Sequence, residues 1–171
     1  IERSPIDHMK SPKVPKPVRH TVKLDTISRL MESCESQRDR LVIAMLADTG
    51  LRLSELASVR LEDVDPGALT IKVGGKGARQ RVARYGPLTE SLLEGHLKLS
   101  EPGPHLLGLE AKGISSMLAR HERKTGIKCN AHAFRRTFAT ESVRNGMNLF
   151  YVQSLLGHSS LTMTRIYAEQ V

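Results

Sequence analysis

Single glycines at 50, 126, 146 and 157 cut this chain into short segments, and most of those segments carry the apolar spacing of an α-helix. A chain built this way must pack many short helices rather than a few long ones. From Asp25, a natural N-cap, Ile27, Leu30, Met31 and Cys34 fall at i, i+3, i+4 and i+7. A second helix is expected from about Arg38 to Thr49, stopped by Gly50, and a third over Ser54–Val59. The pattern then changes. Asp65-Pro66-Gly67 reads as a turn, Leu69–Val73 as a strand, and Gly74-Gly75-Lys76-Gly77 as a hairpin turn into a second strand near Arg79–Tyr85. Thr89 can cap a helix carrying Leu92, Leu93, His96 and Leu97, and a Gly- and Pro-rich loop follows at 101–113. Helices near 114–125, 132–145, 149–156 and 160–168 complete the chain, with Asn148 and Ser160 as N-caps. The expected fold class is α+β, mainly helical with a small antiparallel β-sheet.

Residues 1–20 do not fit this pattern. Four prolines fall in the first 17 positions with little apolar periodicity, which marks an extended basic linker ahead of a domain at 21–171. The net charge of +8 is concentrated in three stretches: 1–20 carries +3, 74–84 carries +4 with no acid, and 112–136 carries +6. Three basic segments on a near-neutral background form the footprint expected for a phosphate backbone. No apolar run has the length of a membrane span, and no signal peptide opens the chain, so the expectation is a soluble intracellular protein. Cys34 and Cys129 make neither a disulfide framework nor a metal site.

Taken singly, the polar residues are ordinary. Arg52 and Glu55 form an i, i+3 pair of a kind that is usually structural. A lysine at a hairpin tip, such as Lys76, is usually solvated. His132 and Arg135 share a helix face, His158 can cap a helix end, and Tyr167 lies on an amphipathic segment. Their order is not ordinary. TGLRLSEL, then GGKGARQR, then HAFRRTFAT, then LLGHSSLTMTRIY resembles the tyrosine recombinase (phage integrase) family over about residues 21–171, its catalytic domain. The family pattern of Arg, Lys, His-x-x-Arg, His or Trp, and Tyr falls on Arg52, Lys76, His132, Arg135, His158 and Tyr167, and Glu55 matches the acid that accompanies the first Arg. Two departures stand out: Arg136 replaces the second His of the common H-x-x-R-H box, and the chain stops four residues after Tyr167. The family's N-terminal helical DNA-binding domain is expected upstream of the linker.

The resemblance implies a site-specific recombinase or integrase that cuts and rejoins DNA through a 3′-phosphotyrosine. An integrase of a phage or mobile element is expected ahead of a chromosome-dimer resolvase. A catalytically silent DNA-binding relative would lack one or more of the six residues, and a type IB topoisomerase usually carries Lys or Arg in place of the first His of the box. The residue types suit the chemistry. Guanidiniums at Arg52 and Arg135 can present bidentate donors to a phosphodiester, with Glu55 orienting the first. His132 can donate to a phosphate oxygen or move a proton from the attacking hydroxyl, His158 can donate to another phosphate oxygen, Lys76 can protonate the leaving 5′ oxygen, and Tyr167 is the nucleophile. Lys72, with Arg79, Arg81 and Arg136 of the basic segments, are the further DNA contacts expected. Neither a cofactor nor a metal is called for, since bond energy passes through the phosphotyrosine and the chain has no Walker-type loop. The expected partner is double-stranded DNA, on which a monomer would assemble into a tetramer in the bacterial or archaeal cytoplasm, with no membrane association.

Overall fold

The computed structural model describes residues 20–74, 80–99 and 103–157. Seven α-helices and a three-stranded antiparallel sheet lie within them: α1 (Leu24–Glu32), α2 (Gln37–Thr49), α3 (Leu53–Ser58), β1 (Val64–Asp65), β2 (Thr70–Gly74), β3 (Gln80–Arg84), α4 (Pro87–Leu99), α5 (Ala111–Thr125), α6 (Ala131–Arg144) and α7 (Leu149–Leu156). This is the mainly helical α+β class expected from the sequence. The expected helix at 160–168 and the hairpin tip lie outside the described residues.

The fold is organised around α2. Leu41, Val42, Ile43, Ala44, Met45 and Leu46 are consecutive and all buried, so this helix has apolar neighbours on every side. It packs against α1, α4 and α6. Burying side chains of this size stabilises by about 1.5–3 kcal/mol each, which makes α2 the main apolar contributor. At its start the Ser36 hydroxyl accepts from the Asp39 N–H at 3.0 Å. At its end Gly50 adopts φ 59°, and a Cβ there would lie 2.6 Å from the Phe138 ring. Both backbone and packing therefore demand glycine. Near the start of α2, the buried Asp39 holds His121 of α5 at 3.2 Å and Arg120 at 2.8 Å.

Several local expectations need correction. Lys23, not Asp25, is the N-cap of α1; Asp25 lies in the first turn, where an acid favours the helix dipole. Helix α1 ends at Glu32 and Cys34 lies beyond it, its thiol donating to the Leu30 carbonyl. Thr89 does not cap α4. It is buried in the first turn and donates to Asp48 Oδ2 at 2.6 Å, while Asp48 also accepts from the Gly86 N–H at 2.8 Å. The start of α4 is thus satisfied by a carboxylate from α2. Helix α5 begins at Ala111, inside the expected loop, because the one glycine it contains, Gly113, is tolerated there. Strand β1 was not expected; only two residues long, it pairs Val64 with Ile71 and Asp65 with Thr70.

The sheet alternates cleanly. Ile71 and Val73 of β2 and Ala83 of β3 are buried, while Lys72, Val82 and Arg84 are exposed. In register, Val73 lies opposite Arg81 and Ile71 opposite Ala83, so Arg81 is on the inward face.

Candidate active site

Arg52 follows directly from the break at Gly50 and forms the N-cap of α3. Glu55, one turn in, accepts from the Arg52 backbone N–H at 2.8 Å and from its Nη1 at 2.7 Å. The pair read from the sequence is therefore present, and its geometry fixes the direction of the guanidinium. A third member joins it. Arg81 Nη1 and Nη2 donate to the two oxygens of Glu55 at 3.0 and 2.8 Å, and Arg81 Nε donates to the Leu155 carbonyl at 2.7 Å. Glu55 lies between two guanidiniums, one fork-to-fork.

Helix α7 ends on Gly157, which adopts φ 62° and leaves the last carbonyls without helical partners. Guanidiniums take them up. Arg135, on α6 and 5% exposed, donates Nη1 to the Gly50 carbonyl at 2.7 Å and Nη2 to the Leu156 carbonyl. Arg52 Nη2 donates to the Gly157 carbonyl at 3.1 Å. With Arg81 on Leu155, three arginines from three elements grip three consecutive carbonyls at the negative pole of one helix. Arg52 keeps its side chain 42% exposed.

The electrostatics follow from this arrangement. Burial pushes the Glu55 carboxyl up, but the hydrogen bonds from Arg81 and from the Arg52 backbone and side chain outweigh it and bring the pKa down to about 2. The stabilisation linked to this shift is fully present above the ordinary carboxylate range, near 4.5, and is lost as pH falls through about 2. Its size is about 3 kcal/mol. Glu55→Gln should therefore melt below the parent at pH 7, with the gap closing as both are taken from pH 5 toward pH 2. A gap independent of pH, measured by thermal melts across that range, would show that the carboxylate charge is not what Arg81 and Arg52 hold.

The remaining expected residues are distributed as follows. His132 is exposed on α6, one turn before Arg135 on the same face. Lys72 is exposed on the outer face of β2. Arg136 donates Nε to the His20 carbonyl at 2.7 Å, tying the start of the described chain to α6. Lys76, Arg79, His158 and Tyr167 lie outside the described residues. Among the described residues no three His, Cys, Asp or Glu side chains are grouped to hold a metal ion, and no helix is long and apolar enough to cross a membrane. Both cysteine thiols are pushed up to about 11, Cys34 by burial and Asp39, Cys129 by burial and Glu122. Both are therefore protonated at neutral pH and poor nucleophiles. Sequence reasoning placed Arg81 on DNA and missed its hold on Glu55. The signal was available: strand alternation in VARYG and ARQRV puts Arg81, Ala83 and Tyr85 on one face, and Ala83 and Tyr85 are both buried.

The phage integrase family profile matches residues 20–171. The tyrosine recombinase XerA of Pyrococcus furiosus is 33% identical over 178 residues, covering 94% of this chain and 61% of its own length. The crystal structure of a XerA recombinase superposes with a TM-score of 0.79 at 27% identity, covering 92% of this chain and 61% of that one. A XerH site-specific recombinase bound to its difH substrate, in a pre-cleavage complex, gives 0.73 at 27% identity, covering 91% and 52%. The chain thus spans about three fifths of the length of the curated relatives it matches. Together the family match and the shared fold assign it: the chain belongs to the phage integrase family of tyrosine recombinases.

Proposed function

We propose that this chain is the catalytic domain of a site-specific recombinase that cleaves and rejoins double-stranded DNA. The observation that carries the reading is the convergence of Arg52 and Arg135, far apart in sequence, on the end of α7, immediately before His158. Two guanidiniums held beside each other suit the two non-bridging oxygens of one phosphodiester, whose charge grows in the transition state. His132, exposed beside Arg135 on α6, is free to add a donor or move a proton. His158 supplies a further donor.

In the proposed step the Tyr167 oxygen attacks phosphorus and passes its proton to His132. The bond from phosphorus to the 5′ oxygen breaks, and that oxygen takes a proton from Lys76. The products are a 3′-phosphotyrosine and a free 5′-hydroxyl. Attack by a second 5′-hydroxyl reverses the chemistry on a new strand and releases Tyr167. The proposed working form is a tetramer on DNA, assembled from monomers and acting at the nucleoid. The site serves an integrase and a chromosome-dimer resolvase alike.

A library of nicked duplexes with randomised arms tests this directly. The nick lets the short product diffuse away and traps the covalent stage. The expected result is a protein–DNA adduct that survives detergent, with the modified peptide mapping to Tyr167. No adduct from the library, or an adduct on another residue, overturns the reading.

A further inference from the structure

A carboxylate beside a phosphate-binding guanidinium poses an electrostatic problem. Glu55 orients Arg52 through two hydrogen bonds, but a lone Arg–Glu pair sums to zero charge and offers an anion little attraction. The third member changes the sum. Arg81 meets both Glu55 oxygens fork-to-fork, so Arg52, Glu55 and Arg81 together carry one net positive charge. The Arg81 side chain is only 14% exposed, and each of its three nitrogens donates to a protein acceptor. Its position on the inward face of β3, opposite Val73, holds it there. Its Nε bond to Leu155 also pins the strand that follows the Lys76 hairpin to the end of α7.

We infer that Arg81 is a positioning residue of the cleavage site: it neutralises Glu55, so that the carboxylate can orient Arg52 without cancelling the charge that Arg52 presents to the phosphodiester. The inference rests on the recombinase reading above and assigns Arg81 a role other than contact with DNA.

The test uses the duplex that the parent chain captures best from the nicked library. If the parent captures none, it is the recombinase reading that fails. If it does, Arg81→Gln should cleave about 10²-fold more slowly at saturating DNA, while the half-saturating DNA concentration changes by less than about threefold. Adding Glu55→Gln in the same chain removes the uncompensated charge yet keeps an oxygen to accept from Arg52. The double variant should recover at least about tenfold of the lost rate. Arg81→Lys, which keeps a charge but cannot span both oxygens and Leu155, should fall between parent and Arg81→Gln. All rates are taken at a temperature where thermal melts show each variant folded. Should Arg81→Gln not fold, the same comparison is made with Arg81→Lys, alone and with Glu55→Gln. A double variant no faster than the single overturns the proposal. So does a loss that lies in the half-saturating concentration, which would mark Arg81 as a DNA contact.

Discussion

Tyr167→Phe should bind the captured duplex nearly as tightly as the parent chain and form no covalent adduct with it. Losing a nucleophile from a covalent enzyme lowers the rate on the order of 10⁶-fold, which removes the product from any gel. Phenylalanine keeps the ring and deletes only the oxygen, so a loss of binding is not expected. The phenol of tyrosine normally ionises near 10, so it depends on neighbouring cations to become reactive at neutral pH. On the proposed function, Arg52 and Arg135 are the cations assigned that part. A denaturing gel on the suicide substrate reads the outcome. An adduct of undiminished yield in Tyr167→Phe would remove Tyr167 as nucleophile and leave the arginine cluster without its proposed partner.

Arg135→Ala should fail in two measurable ways. Cleavage should slow by at least about 10²-fold, the effect of deleting one preorganised donor. Stability should fall as well, because the guanidinium is buried and serves the carbonyls of both Gly50 and Leu156. Leaving such acceptors unpaired costs about 1–3 kcal/mol each. Arg52→Ala makes a useful contrast. Its side chain is 42% exposed and Glu55 keeps both bonds from Arg81, so cleavage should fall comparably while the melting temperature moves less. Arg135→Lys should not restore the rate, since one ammonium cannot reproduce the planar fork. Parent-like cleavage in Arg135→Lys, with the melting temperature preserved, would count against a need for the guanidinium fork in cleavage.

What could be read from the sequence was what local chemistry decides. Gly50, Gly126 and Gly157 end their helices at φ 59°, 70° and 62°, as single glycines after apolar stripes predict. The Arg52–Glu55 pair was legible because both partners lie within one turn. The misreadings share a different cause. Thr89 looks like a cap by every local criterion, but Asp48, from another helix, supplies the acceptor. Strand β1 has two residues and no pattern of its own; only its partner β2 makes it a strand. The hold of Arg81 on Glu55 and Leu155 escaped the sequence for the same reason, because both acceptors are contributed from other elements. Charge along a sequence shows how much there is, whereas the fold decides which way each group points.

The grip on the end of α7 also bears on when the site comes into being. Its bonds join Arg52 to Gly157 across 105 residues, Arg81 to Leu155 across 74, and Arg135 to Leu156 across 21. Closing loops of such length carries an entropic cost that nearby contacts do not, so pairings of this kind form late. Until β3 and α6 have both docked, the three arginines are separate solvated cations with no common anchor. On the proposed function, a growing or partly opened chain would be drawn to DNA by its charge without being equipped to cut it, and strand breakage would await complete folding.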